Sequence, residues 1–318
     1  MLTKAKGRPV TLERSRFFQS RKWEGIKLFL LVLPALAHVF VFHYMPLWGW
    51  GYAFFQYRPG VALLESKFVG LQNFAALFGN PIMRQNLLRV LRNTFGIQFL
   101  NYLLMPIPML FAIFLSEVKS PRFQKAVQTL TTLPHFISWV IMFSLATSLF
   151  GNSGVVNSVL KQFGAEEGIN ILTTNQHVWI IQSLLALWKT MGWNAIIYFA
   201  AITGLDQQVY EAAMMDGASR WQKIRYITIP MLIPTFFVLL IMGIGNFLNS
   251  GVDQFLAFSN AMNKETIEVL DLYVYNLGIG NGQISFSVAV GMMKSIVAVV
   301  LFAIANYASK KIRGASVF

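Results

Sequence analysis

The chain has 318 residues, of which 55% are hydrophobic and only 12% are charged, and its formal net charge is +13. Charged residues make up about a quarter of an ordinary soluble domain, so the composition indicates a polytopic helical membrane protein. The lack of cysteine excludes disulfides and thiolate metal sites. The basic excess is better explained by retention of Lys and Arg on the cytoplasmic side of a membrane than by nucleic-acid binding.

Six apolar stretches have the length of about 20 residues that a helix needs to cross a bilayer. They are residues 28–48, 94–116, 126–150, 177–203, 229–252 and 284–309. Two of them carry one internal charge each, Lys189 in the fourth and Lys294 in the sixth. The sequence therefore predicts an all-α, six-span membrane domain over residues 28–309, between a basic tail (1–27) and a short C-terminal tail (310–318).

Basic residues predict the orientation of the spans. The N-terminal tail, the loops after the second and fourth spans, and the C-terminus are all rich in Lys and Arg, and six spans place them on one side. The positive-inside rule makes that side the cytoplasm, so both termini are predicted to be cytoplasmic. The loop after the first span disagrees because it is also basic. Its residues Arg89 and Arg92 are expected to snorkel from a helix end.

The segment 205–229 lies on the predicted cytoplasmic side and reads as two short helices. Asp206 is a suitable cap for a helix over about 207–215. Gly217 suits the left-handed turn that ends such a helix, and Ser219 with Gln222 is the pattern of a capping box for a second one. Three apolar residues are expected to anchor that second helix to the spans of the protein: Trp221, Ile224 and Ile227.

Exposed acids beside small residues make this segment a candidate docking surface. Glu211 and Asp216 flank Ala212 and Ala213, which permit close approach of another backbone. A carboxylate there is able to pair with an arginine of a soluble partner. The alternative is a structured loop that packs only on its own domain.

The spacing in this segment resembles the "EAA" loop of ATP-binding-cassette importer permeases. Glu211-Ala212-Ala213 is followed after three residues by Gly217, after nine more by Ile227, and then by Ile229-Pro230. Ile229 stands where the family usually has leucine. The resemblance implies that the segment forms coupling helices in a cleft of an ATPase subunit, with Glu211 contacting the ATPase and Gly217 allowing the turn.

Shorter matches extend the resemblance over most of the chain, to maltose-type permeases and in particular to the branch for oligo- and polysaccharides. They are residues 44–49, 68–74, 92–94, 188–193 and 306–318. The resemblance implies a bacterial inner-membrane permease with the type I importer fold. Its partners would be a second, similar permease, an ATPase dimer and an extracytoplasmic solute-binding protein.

The chain is not predicted to be an enzyme. It lacks the phosphate-binding G-x-x-x-x-G-K-[ST] pattern, and no Ser/His/Asp arrangement stands out. No cofactor is therefore expected on this chain, and ATP and Mg²⁺ would bind to the partner ATPase.

Five polar or aromatic residues within the predicted spans are candidates for the substrate path: Lys189, Trp193, Asn246, Asn249 and Lys294. A charge inside a span costs roughly 2.5–3.5 kcal/mol, so such residues usually face a cavity or a partner. Amides suit sugar hydroxyls because they donate and accept hydrogen bonds. Lys294 suggests attraction for an acidic sugar such as a uronate. Pairing of either lysine with the neighbouring permease, and plain helix packing by the amides and Trp193, remain open.

Two other functions fit parts of the sequence. An ion-coupled secondary transporter would use Lys189 and Lys294 as its ion-linked charges, but no carboxylate lies within a predicted span and no internal repeat is evident. An importer permease for amino acids or peptides would share the 205–229 segment and differ in cargo.

Overall fold

A computed structural model describes residues 13–164, 169 and 171–313. Residues 1–12 of the predicted basic tail and residues 314–318 of the predicted C-terminal tail lie outside the described part. The chain divides into two compact units, Met1–Tyr52 and Ala53–Phe318.

The N-terminal unit is helical throughout its described part. Helix α1 (Glu13–Val39) runs into a π-helical turn (Phe40–Tyr44) and then a 3-10 helix (Met45–Phe54) that crosses into the second unit. Helical structure thus covers the predicted first span and also the described part of the basic tail.

A small two-stranded sheet opens the second unit. Strand β1 (Phe55–Gln56) pairs antiparallel with β2 (Lys67–Phe68), with a 3-10 turn (Leu63–Glu65) between them. Helix α2 (Gln72–Gly79) follows. The sheet is held to this helix by buried Asn73, whose amide donates to the carbonyls of Ala53 and Phe55 at 2.8 and 3.1 Å.

The second predicted span is one long helical run with a break. Helix α3 (Pro81–Leu104), Met105 and helix α4 (Pro106–Ser116) form a run of 36 residues. At 1.5 Å per residue this run is about 54 Å long, well beyond the roughly 30 Å of hydrocarbon in a bilayer. Its first turns carry the charged residues and therefore extend out of the apolar layer.

The structure corrects the single helix expected over residues 126–150. Helix α5 (Pro121–Thr132) ends in a 3-10 turn (Leu133–Phe136), and a new helix, α6 (Trp139–Phe150), begins two residues later. Pro134 lacks the N–H that would continue the helix, and the Ser138 hydroxyl caps the new one by accepting from the N–H of Ile141. Helix α7 (Val155–Gln162) follows α6.

The fourth predicted span is helix α8 (Val178–Thr203), whose 26 residues are long enough to cross a bilayer. Five other helical runs in the described residues are both long and apolar enough to do so: Trp23–Phe54, Pro81–Ser116, Trp139–Gln162, Arg220–Gly245 and Ile284–Lys311. Helix α8 falls outside that apolar set because polar side chains such as Gln182, Lys189 and Asn194 interrupt it.

The remaining elements are α9 (Gln207–Met215), α10 (Arg220–Lys223), a π-helical turn (Ile224–Thr228), α11 (Ile229–Gly245), α12 (Asp253–Phe258), α13 (Lys264–Ile267), α14 (Leu270–Tyr275), a second π-helical turn (Asn276–Gly280) and α15 (Ile284–Arg313). Helix α11 ends at Gly245, short of the predicted end at residue 252. The chain then turns and reaches Gly251, whose φ is +80°.

Three buried apolar clusters hold the second unit together. One of them joins α4, α8 and α11 to the 205–229 segment through buried Ile224 and consists of Met109, Ala112, Ile113, Ala195, Tyr198, Ile224 and Leu232. Helices α5 and α8 come together at Gly192, where a Cβ atom would lie 2.3 Å from the Thr131 carbonyl. These contacts fix α8 between the broken third span and the 205–229 segment.

Candidate functional site

The first helix of the 205–229 segment has the ends that its sequence predicts. The Asp206 carboxylate accepts a hydrogen bond from the Gln208 N–H at 2.9 Å. At the other end Gly217 has a φ of +78°. Its N–H donates to Met214 and the N–H of Ala218 donates to Ala213, at 3.1 and 2.9 Å, which is the Schellman motif. The turn between the two helices is therefore specified by local chemistry.

We expect Gly217→Ala to weaken this turn, because a left-handed backbone costs a residue with a Cβ roughly 1–2 kcal/mol. Nothing lies within 4 Å of the position a Cβ would take, so the cost is conformational and not steric. The measurement is the melting temperature of the purified protein, which is expected to fall by about 2–8 °C. Gly204→Ala is the matched control because Gly204 ends α8 with a φ of −86°. Equal melting temperatures for the two variants would contradict the assigned role of Gly217.

The second helix has a reciprocal capping box at its N-terminus and continues at its C-terminus into a span. The Ser219 N–H donates to Gln222 at 2.7 Å, and the Gln222 N–H donates to the Ser219 hydroxyl at 3.3 Å, which confirms the predicted capping box. Helix α10, the π-helical turn and α11 then form one run of 26 residues, Arg220–Gly245. The hydroxyls of Tyr210 and Thr228 are 2.9 Å apart and tie α9 to the start of this run.

The exposed surface of the 205–229 segment carries both acidic and apolar side chains. Helix α9 has no buried residue, Glu211 is exposed, and Met215 is 88% exposed. Ile224 is buried and anchors the segment as predicted, but Trp221 is 60% exposed. The expectation that Trp221 packs on the spans is therefore wrong, because α10 turns this side chain outward. Exposed Met and Trp side chains beside an acid are typical of a surface that binds another protein.

The break in the third span explains the buried charge of Lys189. Its Nζ atom donates to the carbonyls of Pro134, His135 and Ile137 at 3.1, 2.7 and 2.6 Å. An ammonium group has three N–H donors, and the carbonyls of His135 and Ile137 have no other donor among the described residues at the break, while Pro134 also accepts from the Ile137 N–H at 3.2 Å. Lys189 thus satisfies carbonyls of its own chain, an arrangement that the sequence did not reveal.

Trp193 also packs at the break. Its ring stacks on His135 with centroids 4.4 Å apart and planes 2° apart, and it meets Phe136 edge-on at 5.8 Å. The side chain is still 44% exposed. Trp193 and Lys189 therefore form one structural unit with the 3-10 turn.

The two asparagines lie at the end of α11 and not on it. Asn246 is the C-cap residue of α11, and Asn249 lies in the turn that follows. The Asn249 amide nevertheless donates to the Asn246 side chain at 3.1 Å. On α3, Gln98 donates to the Asn249 carbonyl and to the Ser250 hydroxyl at 3.4 and 3.2 Å. The predicted amides are thus brought together.

Lys294 joins the same network through an acid of its own chain. It forms an ion pair with Asp271, whose second oxygen accepts from the N–H groups of Ser250 and Gly251 at 2.8 and 3.0 Å. The charge of Lys294 is therefore balanced within the chain. Asp271 lies in the predicted loop between the fifth and sixth spans, and the sequence alone did not indicate that it pairs with a lysine of the sixth span.

A cavity of about 390 Å³ borders this network at Asn101 and runs along α8. Its polar lining consists of Asn101, Ser183, Thr190, Asn194 and Tyr198. Tyr198 is 1% exposed, and its hydroxyl has no hydrogen-bond partner among the described residues. Sequence reasoning missed Ser183, Thr190 and Asn194. Their spacing of seven and four residues puts them on one helix face and was the signal available.

Two basic residues from the predicted loop after the first span have partners within the described part of the chain. Arg89 lies on α3 and pairs with Glu268 at 2.6 Å, and the Arg92 guanidinium lies 6.0 Å from the centre of the Trp179 ring. The expectation that these two arginines snorkel from a helix end is therefore corrected, because they contact Glu268 and Trp179 instead. Over the described ranges, no group of three or more His, Cys, Asp or Glu residues is placed to hold a metal ion.

Comparison with known proteins decides the family. The model of a family described as "Binding-protein-dependent transport system inner membrane component" matches residues 104–314, well over half of the chain. The chain belongs to this family. It is therefore a membrane-spanning transport component with the type I permease fold and not an enzyme, as the sequence predicted.

Curated relatives and solved structures agree with this membership. The chain is 40% identical over 286 residues to the polygalacturonan/rhamnogalacturonan transport system permease protein YteP of Bacillus subtilis, covering 89% of this chain and 88% of the relative. It is 37% identical to protein LplB of the same organism, covering 91% and 89%. The crystal structure of a bacterial transporter that imports the acidic polysaccharide alginate matches with a TM-score of 0.80 and 33% identity, over 92% of this chain and 99% of the other.

Proposed function

We propose that the chain is one permease subunit of an ATP-driven importer that carries an acidic oligosaccharide or polysaccharide across the bacterial inner membrane. The observation that carries the proposal is the 205–229 segment, which exposes an acid and methionines and continues rigidly into a span. Its partners are a second homologous permease in a heterodimer, an ATPase dimer, an extracytoplasmic solute-binding protein and membrane lipid, without nucleic acid. ATP and Mg²⁺ bind to the ATPase, and this chain binds no cofactor.

The orientation rests on the distribution of basic residues. The loop between α4 and α5 carries Lys119, and α5 carries Arg122 and Lys125, on the same side as the 205–229 segment and the C-terminus. On the other side, Glu268 neutralises Arg89, which reduces the basic charge of the loop that disagrees with a cytoplasmic 205–229 segment. Both termini and the 205–229 segment are therefore assigned to the cytoplasm.

The segment couples the ATPase to the spans. Glu211, Ala212, Ala213, Asp216 and Gly217 form the contact, in which the alanines let the ATPase backbone approach and Glu211 pairs with a cation. When the ATPase dimer closes on ATP, the Tyr210–Thr228 contact and buried Ile224 pass the motion to α11. The run to Gly245 is about 39 Å long, so the motion reaches the far side of the bilayer. The ATPase thus shifts the population between two arrangements of the spans.

The path of the cargo follows the polar network and the cavity beside it. Asn246, Asn249 and Lys294 offer donors and acceptors to sugar hydroxyls and carboxylates, and the cavity extends this polar surface along α8. Lys189 and Trp193 border the path at the broken third span. An acidic cargo is supported by the similar transporter that imports alginate and by the relative named for polygalacturonan and rhamnogalacturonan.

The test is to purify the complex and reconstitute it with its binding protein. We expect an ATPase to co-purify with the chain, and cargo-loaded binding protein to stimulate ATP hydrolysis and uptake together. A chain that purifies alone and moves cargo along an ion gradient would be a secondary transporter and would contradict the proposal.

Lys294→Gln tests charge recognition in the path. We expect uptake of a charged oligosaccharide to fall about fivefold more than uptake of its neutral methyl ester, since one partly screened charge pair contributes up to about 1 kcal/mol. The control is Lys161→Gln on the exposed surface of α7. Equal losses for the two cargoes would assign Lys294 only to its ion pair with Asp271.

A further inference from the structure

A second cavity lies at the opposite end of the second unit from the 205–229 segment. It has a volume of about 570 Å³ and is formed by the start of α3, the chain from Ser259 to Glu268, and the stretch from Tyr273 to Gln283. Arg89 lines this cavity, and Met109 belongs to the apolar cluster that contains Ile224 of the 205–229 segment. The two residues are 20 positions apart on the helical run α3–α4. That separation is about 30 Å, the thickness of the apolar layer, so the cavity opens to water.

The lining of this cavity includes amide side chains that form no hydrogen bond within the described part of the chain. Asn86, Asn281 and Gln283 line it, and their side chains make no hydrogen bond to the described part of the chain. Amides that donate and accept are suited to sugar hydroxyls. Apolar side chains of Met83 and Leu277 stand between them and offer a surface to the C–H faces of a sugar ring. The volume falls within the range of about 300–1,000 Å³ that ligand sites occupy.

Tyr273 adds a hydrogen-bond donor to the lining of this cavity. The residue is 7% exposed and lines the cavity, and its hydroxyl has no hydrogen-bond partner among the residues that the structure describes. Burial, and then the nearby Glu268 carboxylate, raise the pKa of Tyr273 above its ordinary value, while Arg89 acts in the other direction. The phenol is therefore protonated at neutral pH and available as a donor.

The charges of the cavity favour an anion. Glu268 is 2% exposed and is satisfied by Arg89 at 2.6 Å and by the Asn276 amide at 2.9 Å. Lys264 also lines the cavity, and its ammonium group forms no ion pair within the described residues. Two cations against one carboxylate leave one positive charge unbalanced.

We propose that this cavity is an extracytoplasmic subsite for a segment of an anionic oligosaccharide, bound by Lys264, the unused amides and the Tyr273 hydroxyl before it enters the transmembrane path. The inference rests on the proposed import of an acidic saccharide and adds a receiving site on the permease itself. The unused hydrogen-bonding groups favour a sugar over a segment of the binding protein.

The experiment measures binding of a defined oligogalacturonide and of its methyl ester to the complete transporter in nanodiscs without binding protein. We expect saturable binding that is tighter for the charged oligomer. Tyr273→Phe should raise Kd about three- to tenfold for both oligomers, as expected for one lost hydrogen bond. Lys264→Gln should raise Kd about two- to fivefold for the charged oligomer only, and less at high salt.

Two matched variants are the controls. Tyr275→Phe removes a hydroxyl from the same helix outside the cavity, and Lys161→Gln removes an exposed charge from α7. Both should bind as the wild type does. No binding to the wild-type transporter, or equal Kd values for the cavity and control variants, would overturn the subsite.

A separate measurement distinguishes this failure from failure of the proposed function. If binding protein loaded with the oligogalacturonide stimulates ATP hydrolysis while the cavity variants behave like the controls, only the subsite is refuted. If the cavity variants lose affinity for the binding protein and keep their affinity for sugar, the cavity is a protein-docking surface and the inference is also refuted. No stimulation by any charged or neutral oligosaccharide would refute the import function itself.

Discussion

Glu211→Lys is expected to reduce the ATP hydrolysis that cargo-loaded binding protein stimulates by about tenfold or more. Glu211 is exposed on α9 and makes no hydrogen bond or ion pair to the described residues, so its charge is free for a partner. A charge-assisted hydrogen bond contributes about 1.5–3 kcal/mol, and the lysine adds repulsion against the partner cation proposed to pair with Glu211. The measurement is the ATPase rate in proteoliposomes, with and without loaded binding protein.

The control for this variant is Glu117→Lys, which makes the same charge change at the C-cap residue of α4, outside the 205–229 segment. The melting temperature of the purified complex should stay close to that of the wild type for Glu211→Lys, because surface changes typically alter stability by less than about 0.5 kcal/mol. Full stimulation of the Glu211→Lys transporter would remove Glu211 from the coupling contact.

Lys189→Met is expected to destabilise the protein by about 2–5 kcal/mol. The substitution leaves the carbonyls of His135 and Ile137 without a donor, and each unsatisfied buried group costs about 1–3 kcal/mol unless it relaxes or finds water. The Pro134 carbonyl keeps its bond from the Ile137 N–H. Thermal unfolding of the complex in detergent measures the loss. Lys189→Gln keeps two N–H donors and should recover part of it.

Lys161→Met provides the matched comparison, since it replaces an exposed lysine on α7. A normal melting temperature for Lys189→Met, together with a selective loss of uptake of charged cargo, would show that Lys189 acts on the substrate and not on the break.

The parts of the fold that the sequence predicted are those with local causes. The helix caps and the turn of the 205–229 segment depend on contacts between residues close in sequence, so the segment was predicted in detail. These residues are Asp206, Gly217, Ser219 and Gln222. The length of the apolar stretches alone was enough to locate the spans. The break at Pro134 also had a local signal, but apolar residues on both sides concealed it.

The contacts that the sequence did not predict join distant parts of the chain. Lys189 and the Pro134 carbonyl are 55 residues apart, and Lys294 and Asp271 are 23 apart. Which polar group meets a buried charge depends on how the spans pack, and a single sequence does not specify that packing. The same holds for Arg89, whose partner Glu268 lies 179 residues away.

Thiol labelling tests most directly the claim that the 205–229 segment faces the interior of the cell. The chain has no cysteine, so Met215→Cys and Met262→Cys each introduce a single thiol at sites that are 88% and 68% exposed. In sealed right-side-out vesicles, a membrane-impermeant maleimide should label Met262→Cys at once and Met215→Cys only after the membrane is opened. Labelling of Met215→Cys from outside would contradict the orientation and, with it, the coupling to a cytoplasmic ATPase.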